Sequence, residues 1–375
     1  MPTTYAIPNG KLFMDVLTWS GTGGSSGATR NITGLKFQPD FVWEKSRTSG
    51  SNHQLMNSVV GAGSGKVLSS NSVGSEPTPA VSPESSYGWL SSFNTDGFTL
   101  TNGTSTFDNY NKSGDTYVAW NFKAGGTTVT NTAGTITSQV NANTTAGFSI
   151  VTWTGNGVIS ATVGHGLNAI PALIICKERN GGDYWHVKHQ STASNTNLYL
   201  NVTNASTSAA SVGDGILSDL NSSTTFGFAT AGSPGNVVAV NENGLLNIAY
   251  CWAEINGYSK FGTWINNNST DGTFVYLGFK PRFILFKNTD NVECWYVWDS
   301  ARQNYNVAAP SNNWINPNAT YVEQANNANT AAIDGLSNGF KIRTTNPAAG
   351  EVSFGTRTYA YAAFAENPFK YANAY

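Results

Sequence analysis

Three segments of the chain share one pattern: Pro39-Asp-Phe-Val-Trp-Glu-Lys45, Pro171-Ala-Leu-Ile-Ile-Cys-Lys177 and Pro281-Arg-Phe-Ile-Leu-Phe-Lys287. Each segment begins with proline, ends with lysine and carries a short run rich in β-forming residues between them. A continuous apolar run of this length is typical of a strand that is covered on both faces. Proline is tolerated at the first position of a strand, where its missing N–H disturbs the ladder least. The pattern therefore predicts the same buried strand three times.

Three further landmarks accompany each segment in the same order. A Thr-Trp pair precedes the segment, a ring stands eight residues after its lysine, and a Gly-Phe pair comes later in the chain. The three sets are Thr18-Trp19, His53 and Gly97-Phe98; Thr152-Trp153, Trp185 and Gly227-Phe228; and Thr263-Trp264, Trp295 and Gly339-Phe340. Equivalent tryptophans lie about 110 to 134 residues apart, whereas solenoid and propeller repeats run about 20 to 50 residues. Each unit is therefore long enough to own a core.

The pattern inside each unit predicts an all-β fold. Alternating stretches such as Phe148-Ser-Ile-Val-Thr-Trp153 are typical of strands with one wet face, and Asn-Gly and Asp-Gly pairs supply tight turns. We predict three tandem β-sandwich domains, jelly-roll or lectin-like, behind a short N-terminal arm. The predicted boundaries are 1–12 for the arm, 13–126 for unit 1, 127–145 for a connector, 146–257 for unit 2 and 258–375 for unit 3.

Composition limits the classes of partner. The 375 residues carry a formal charge of -2, and only 11% of them are charged, against about 25% in an average soluble domain. Without a basic field, neither nucleic acid nor an anionic membrane surface is expected as a main partner. No window approaches 18 apolar residues, so we expect no membrane insertion, and the N-terminus lacks the pattern of a secretion signal.

Catalytic and metal-binding patterns are sparse. His186 and His189 are spaced i,i+3 on a predicted strand, which sends their rings to opposite faces and argues against a shared metal. The Gly-rich stretch before Lys66 lacks the Ser or Thr of a phosphate loop, because Val67 stands there. We therefore predict no catalytic residue, no metal and no cofactor.

Glycoside cleavage would need two carboxylates about 5 to 10 Å apart. Asp290, Glu293 and Asp299 cluster in the third unit only, where a solvated loop explains them. A glycan-degrading enzyme is accordingly kept as a second alternative.

Aromatic residues that break the repeat are the candidates for a ligand face. Tryptophan and tyrosine combine a flat apolar face with a polar edge, which suits both sugar rings and protein partners. Tryptophans that recur in all three units, such as Trp19, are expected to anchor cores instead. The candidate ligand-binding residues are Trp89, Tyr184, Trp298 and Trp314. Packing inside a core is the alternative for each.

Five strings carry a resemblance to a known group of proteins. They are Tyr117-Val-Ala-Trp-Asn-Phe-Lys-Ala-Gly-Gly126, Ala146-Gly-Phe-Ser-Ile-Val-Thr-Trp-Thr-Gly-Asn-Gly157, Val163-Gly-His-Gly-Leu167, Glu254-Ile-Asn-Gly-Tyr-Ser-Lys-Phe-Gly262 and Ala363-Phe-Ala-Glu-Asn-Pro-Phe-Lys-Tyr-Ala-Asn-Ala374. The chain resembles virion proteins of tailed phages that infect cyanobacteria and other aquatic bacteria, described as tail-fibre-like or lectin-like. The resemblance extends from about Asn9 to Tyr375 and brings no catalytic residues with it.

The resemblance implies a location in the virion after assembly in the host cytoplasm. It implies a tail fibre or adhesin that contributes to host attachment through its β-sandwich modules. The expected partners are other virion proteins, further copies of the chain in a homotrimer, and a host-surface glycan. The alternative is a capsid decoration or fibre-collar protein without receptor binding. The arm Met1 to Gly10 is a candidate for docking onto the particle or onto another subunit.

Overall fold

The described part of the chain folds almost entirely into antiparallel β-strands, so the all-β prediction is confirmed. The computed structural model describes residues 6–77, 84–105, 109–208, 216–229, 239–269, 271–302, 313–325, 332–343 and 356–368. Within these ranges, helical structure is limited to a 3-10 turn at Gly10–Leu12 and a single α-turn, α1, at Glu84–Tyr87. The sequence accordingly shows almost no helical 3.6-residue periodicity.

The first unit is a sandwich of a four-stranded sheet and a three-stranded sheet. Its strands are β1 (Met14–Ser20), β2 (Thr29–Thr33), β3 (Phe41–Ser46), β4 (Gln54–Asn57), β5 (Trp89–Asn94), β6 (Gly97–Thr101) and β7 (Thr116–Phe122). The four-stranded sheet has the order β1-β7-β3-β4 and the three-stranded sheet the order β2-β6-β5. We call the first type of sheet inner and the second type outer.

The second unit repeats this arrangement and extends its inner sheet. Its strands are β8 (Val129–Asn131), β9 (Ser138–Asn143), β10 (Phe148–Thr154), β11 (Thr162–Gly164), β12 (Pro171–Glu178), β13 (His186–His189), β14 (Thr196–Tyr199), β15 (Thr207–Ser208), β16 (Ile216–Leu217), β17 (Thr225–Ala229) and β18 (Leu246–Ala253). The inner sheet has the order β15-β14-β13-β12-β18-β10-β9-β8, and the outer sheet the order β11-β17-β16. The predicted connector, residues 127–145, thus supplies the two outermost strands on one side of this sheet, β9 and the edge strand β8.

The third unit has the same two sheets and one extra hairpin. Its strands are β19 (Ser259–Ile265), β20 (Asp271–Tyr276), β21 (Phe279–Asn288), β22 (Trp295–Asp299), β23 (Asn313–Trp314), β24 (Gln324–Ala325), β25 (Ala332–Leu336), β26 (Gly339–Arg343) and β27 (Thr358–Pro368). The inner order is β19-β27-β21-β22, the outer order is β20-β26-β25, and β23 pairs with β24. The strand order of the first unit is therefore found three times.

The recurring Pro-to-Lys strand occupies the same place in every sandwich. It forms β3, β12 and β21, next to the closing strand of each unit, and every residue of these three strands is buried. Because side chains alternate along a strand, Val42 points into its own sandwich, whereas Phe41 and Trp43 point to the opposite side. The inner sheet is thus covered on both faces, as its continuous apolar run predicts.

Apolar side chains fill the space between the two sheets of every sandwich, as separate clusters in units 1 and 2 and as part of a larger cluster in unit 3. The recurrent tryptophan of the first inner strand packs there against the phenylalanine of the Gly-Phe pair on the outer sheet. The ring pairs are Trp19–Phe98 at 5.9 Å, Trp153–Phe228 at 6.1 Å and Trp264–Phe340 at 5.5 Å. These repeated residues are accordingly structural anchors.

A further core joins the three sandwiches, because the second faces of all three inner sheets pack against one another. We call it the shared core. Phe122 of the first unit lies near its centre: its ring is 5.5 Å from Phe148 and 5.7 Å from Trp252 in the second unit, and 6.0 Å from Phe283 and 5.1 Å from Phe364 in the third. The three sandwiches therefore form one body around a common axis.

Three junction segments, residues 69–76, 199–206 and 316–323, close this body into a ring. Each segment follows a residue that pairs with the fourth inner strand of its own unit. Its first carbonyl accepts a hydrogen bond from the ring that stands eight residues after the recurring lysine of the next unit. The three bonds are Trp185 Nε1 to Ser69 O at 2.9 Å, Trp295 Nε1 to Tyr199 O at 2.8 Å, and His53 Nε2 to Asn316 O at 3.0 Å. The third segment returns to the first unit, so the cycle is complete.

The last residue of each junction segment makes a second contact with the next unit. Its backbone N–H donates to the carbonyl of the residue two positions after the recurring lysine, and in two junctions its side chain also forms an ion pair. The three pairs are Glu76 with Arg179, Ser206 with Thr289, and Glu323 with Arg47. Two junctions are thus charged, whereas the junction between units 2 and 3 is neutral.

The described part of the N-terminal arm lies against the body of the protein. Ile7 is fully buried in the shared core. Gly10 packs so closely on β27 that a Cβ there would lie 1.9 Å from the carbonyl oxygen of Ala365. Residues 1–5 lie outside the described residues. From Ile7 onward, the segment predicted as a docking arm is held by its own chain.

Candidate functional site

A polar cleft of about 430 Å³ opens in the first unit, beside its junction with the third. This volume lies in the range of about 300 to 1,000 Å³ that is usual for small-molecule sites. Hydroxyl and amide side chains dominate its lining, among them Ser46, Ser49, Ser51, Asn52, Gln54 and Asn109. We refer to it below as the cleft.

Four parts of the chain position these side chains. Strand β3 ends at Ser46 and strand β4 begins at Gln54, so the hairpin loop between them forms one wall. The junction segment 69–76 contributes serines and a glycine to the lining, and Tyr87 provides an aromatic ring at the end of α1. Thr320 comes from the junction segment of the third unit. The cleft is therefore complete only when the ring of three units is closed.

A buried lysine fixes the shape of the hairpin loop. The Nζ atom of Lys45 donates to the carbonyl oxygens of Ser46 at 2.6 Å and Ser49 at 3.1 Å. Burial lowers the pKa of Lys45 to about 8, although Glu44 partly opposes this. Lys177 and Lys287 bind the corresponding carbonyls of the other two loops. The recurring lysine thus replaces the backbone donors that these tight loops lack.

Charges around the cleft are balanced. Asp115 lies 3.8 Å from Lys112 in an ion pair and accepts a hydrogen bond of 2.5 Å from the hydroxyl of Ser49. Beneath the loop, Glu44, Asp115 and Glu323 each raise the pKa of Lys45, against the larger effect of burial. Among the described lining residues one cation, Lys112, is thus paired with one carboxylate, Asp115, so this lining carries no net charge.

The equivalent place in the second unit is filled by a side chain. Glu178 stands where the first unit has Ser46, and a Cβ at Gly181, the counterpart of Ser49, would lie 1.7 Å from a carboxylate oxygen of Glu178. Burial raises the pKa of Glu178 to about 7, with Glu242 contributing in the same direction. Glu178 therefore occupies the space that is open in the first unit.

The equivalent place in the third unit is filled by a hydrogen-bonded network. Asn288 stands where the first unit has Ser46, and Glu293 stands where it has Ser51. The amide of Asn288 donates to Glu293 at 2.6 Å, and the hydroxyl of Tyr359 donates to the same carboxylate oxygen at 2.9 Å. The cleft exists because serines in the first unit replace these larger side chains.

Two of the four aromatic candidates lie inside the core. Trp298 is 1% exposed and Trp314 is 2% exposed. The ring of Trp314 meets Phe286 edge-on at 5.5 Å and an interplanar angle of 80°. Rings enclosed in this way cannot stack on a ligand, so the packing alternative applies to both.

The other two aromatic candidates lie nearer the surface. Trp89 is half-buried in β5, two residues after the cleft residue Tyr87. Tyr184 is 43% exposed and stands in the second unit at the place of the cleft residue Asn52. The structure does not bring these two rings together, and their ligand role stays a prediction.

Sequence reasoning missed the serines that form the cleft. Isolated serines in a Ser-rich chain carry no pattern of their own. An alignment of the three units could have predicted the cleft, because unit 1 has small residues at the positions equivalent to Glu178, Asn288 and Glu293.

The described residues of the cleft supply one carboxylate, Asp115, so they do not form the pair that glycoside hydrolysis needs. The expectation of a solvated loop is wrong for two acidic residues of the third unit, because Glu293 and Asp299 are buried and have structural partners: Arg302 binds Asp299 at 2.6 Å, and Tyr359 binds Glu293. Among the described residues, no group of three or more His, Cys, Asp or Glu side chains is placed to hold a metal. The helices described here include none that could cross a membrane.

Fold and cleft together define an all-β protein built from three sandwiches of one topology that close into a ring within one chain. Residues 10–368 match the family described as a domain of unknown function, DUF7483. The chain belongs to this family, whose single model spans all three units. No curated protein and no solved structure matches the chain.

Proposed function

We propose that this protein is a structural component of a phage virion, a tail fibre or adhesin that contributes to attachment at the host surface. Its partners are other virion proteins and a host-surface glycan. The strings that resemble tail-fibre-like virion proteins support the location, and they span nearly the whole chain.

The scaffold supports a role outside the cell. A particle protein must persist for long periods, which favours folds that unfold slowly and need no labile cofactor. Antiparallel sandwiches are rich in contacts between distant residues, and such folds form slowly. The shared core adds contacts between units that are far apart in sequence, such as Phe122 and Phe364.

The observation that carries the attachment role is the cleft in the first unit. Among the described residues it is open, polar and free of net charge, whereas the equivalent places of the other two units are filled by Glu178 and by Asn288 with Glu293. A protein that only braces its neighbours has no need of such an asymmetry.

Competition with phage adsorption tests the proposal. Purified protein is added to host cells before the phage, and unadsorbed phage is counted. We expect the protein to slow adsorption in a dose-dependent way, and an equal concentration of an unrelated β-sandwich protein to have no effect. Unchanged adsorption at saturating protein would contradict the attachment role.

Capsid decoration or a fibre collar is the second candidate function. It is favoured by exposed apolar residues on two edge strands of the third unit: Ile265 on β19, and Phe274 and Tyr276 on β20. Exposed apolar groups on sheet edges are suited to contacts between neighbouring proteins. The copy number per particle separates the candidates, because tail fibres occur in tens and decoration proteins in hundreds.

The three-unit ring bears on the proposed homotrimer. One chain already arranges three sandwiches around an axis, so three copies are not required to make that arrangement. Light scattering of the purified protein measures the state directly: a mass near 120 kDa, about three times the 39.9 kDa chain, supports a homotrimer, and a mass near that of one chain excludes it.

A further inference from the structure

We infer that the cleft of the first unit binds an uncharged saccharide, and that the first unit is therefore the one that faces the host. This inference rests on the proposed attachment function and names its ligand class and its site.

The lining matches the chemistry of a sugar. A saccharide offers many hydroxyl groups that both donate and accept hydrogen bonds, together with small apolar C–H faces. The cleft offers hydroxyls and amides with the same double capacity, and one aromatic ring, Tyr87, beside them. An aromatic face next to a few convergent polar groups is the arrangement that orients a small polar ligand.

The hydroxyl of Ser51 is a second and independent indication of a ligand. Its oxygen is inaccessible to solvent and has no hydrogen-bond partner among the described residues. Buried hydroxyls usually have a partner in the protein or in an ordered water molecule. Ser51 lines the cleft, so rotation of its side chain would turn this hydroxyl towards a sugar hydroxyl that can satisfy it.

The balance of charge selects an uncharged ligand. Asp115 and Lys112 pair with each other across 3.8 Å, and Ser49 also binds Asp115. An acidic sugar would meet the carboxylate of Asp115, and a basic sugar would have to displace Lys112. A neutral saccharide avoids both costs.

The third unit shows how the cleft can be closed without disturbing the fold. Ser46 accepts a hydrogen bond from the N–H of Ser49, and its counterpart Asn288 accepts the corresponding bond from Asn291. Tyr117 pairs with Ser46 in register as Tyr359 pairs with Asn288. The double variant Ser46→Asn with Ser51→Glu therefore recreates the filled arrangement, with its tyrosine partner already in place.

An array of neutral and acidic oligosaccharides, followed by titration calorimetry with the best ligand, tests the inference on the full chain. We expect binding to neutral oligosaccharides, and a loss of affinity of at least tenfold in the double variant. Thr145→Glu adds a charge on an exposed turn and is the matched control, which should bind normally. Tyr87→Ala is a second variant, should the double variant fail to fold, and we expect a comparable loss.

Three results would overturn the inference: no binding to any neutral oligosaccharide, binding to acidic oligosaccharides alone, or full affinity in the folded double variant or, where that variant does not fold, in Tyr87→Ala. The adsorption assay separates this failure from that of the proposed function. If the double variant still competes with phage adsorption as the native protein does, attachment stands and the cleft is not its site. If saccharide binding follows the variants but no protein slows adsorption, the cleft assignment stands and the attachment function fails.

Discussion

At the residue scale, the two histidines of β13 illustrate how a buried polar ring depends on its partners. His189 accepts a hydrogen bond from the N–H of Ser191 at Nδ1 and donates from Nε2 to the carbonyl of Tyr361 at 3.0 Å. Neither ring nitrogen of His186 has a hydrogen-bond partner among the described residues. Burial lowers the pKa of His186 to about 3 and that of His189 to about 4. Both rings therefore stay neutral at pH 7.

We predict that His186→Phe stabilises the protein by about 1 kcal/mol, because it removes buried polar atoms that have lost water without gaining a partner. His189→Phe is the matched control and should destabilise the protein by about 1 to 3 kcal/mol, since it leaves the carbonyl of Tyr361 and the N–H of Ser191 without their partner. Urea unfolding at pH 7.5 measures both. Equal destabilisation by the two variants would show that His186 has a partner in solution.

The three buried lysines give the protein a pH dependence in the alkaline range. Burial lowers the pKa of Lys45, Lys177 and Lys287 from 10.5 to about 8. Between pH 8 and about 10 the unfolded chain binds more protons than the folded chain, so stability rises with pH. Below pH 8 both states are protonated and the dependence disappears. The buried thiols of Cys176 and Cys251 oppose this rise above about pH 9, and the buried tyrosines reverse it above about pH 10, because burial raises the pKa of both kinds of group on folding.

We therefore expect the free energy of unfolding to rise by up to about 1.4 kcal/mol per pH unit for each lysine between pH 8 and 10. Lys177→Met should remove about a third of the lysine contribution to this rise, while the opposing contribution of Cys176 and Cys251 remains. It should also lower stability at pH 7 by about 1 to 3 kcal/mol, because two loop carbonyls lose their donor. Urea unfolding at pH 8, 9 and 9.8 checks this, and a flat profile for the native chain would be the contrary result.

At the element scale, the junction segments show which contacts the ring needs and which it can exchange. Glu76 and Arg179 form a two-bond ion pair at 2.8 Å, whereas Ser206 and Thr289 make the same junction in neutral form. The backbone bond from the N–H of the last segment residue is present in both. The backbone contact is thus common to the three junctions, and the ion pair is an addition to it.

We predict that Glu76→Ser and Arg179→Thr each destabilise the protein by about 1 to 3 kcal/mol, because each leaves a partly buried charge without its partner. The double variant copies the neutral junction and should recover most of that loss. A double-mutant cycle from urea unfolding measures the coupling. Strict additivity of the two losses would mean that the pair contributes nothing to the junction.

The sequence predicts the elements of this protein better than it predicts their assembly. Local sequence patterns predict the strands; an example is the apolar run Phe41-Val-Trp43, which recurs three times. No local pattern predicts the junction contacts. Trp185 and Ser69, for example, are 116 residues apart, and nothing in the sequence around either residue indicates that the two are in contact. The cleft could not be predicted for a different reason. It exists because side chains at certain positions are small, and small side chains form no sequence motif.

At the scale of the whole molecule, the shared core decides how the three units behave together. Phe122 contacts rings of the second and third units as well as Phe41 of its own. A unit that unfolded alone would expose the apolar face of its inner sheet and that of its neighbours. The three units should therefore unfold as one.

We predict that Phe122→Ala lowers the free energy of unfolding by about 3 to 5 kcal/mol and weakens all three units equally. Hydrogen exchange of peptides from each unit reports their local stabilities separately. Phe122→Leu is the control and should cost less, since it retains more of the packing. A loss of protection confined to the first unit would argue for three independent domains.

Because the three junctions form a closed cycle, the fold does not depend on the position in the ring at which the polypeptide begins. Gly10 lies against Ala365, so a short linker could connect the chain between these two neighbouring parts. The chain could then be opened at the exposed turn of Thr144 and Thr145 without breaking a junction bond. Such a circular permutant should reach the same folded state, with its free ends at the turn before β10.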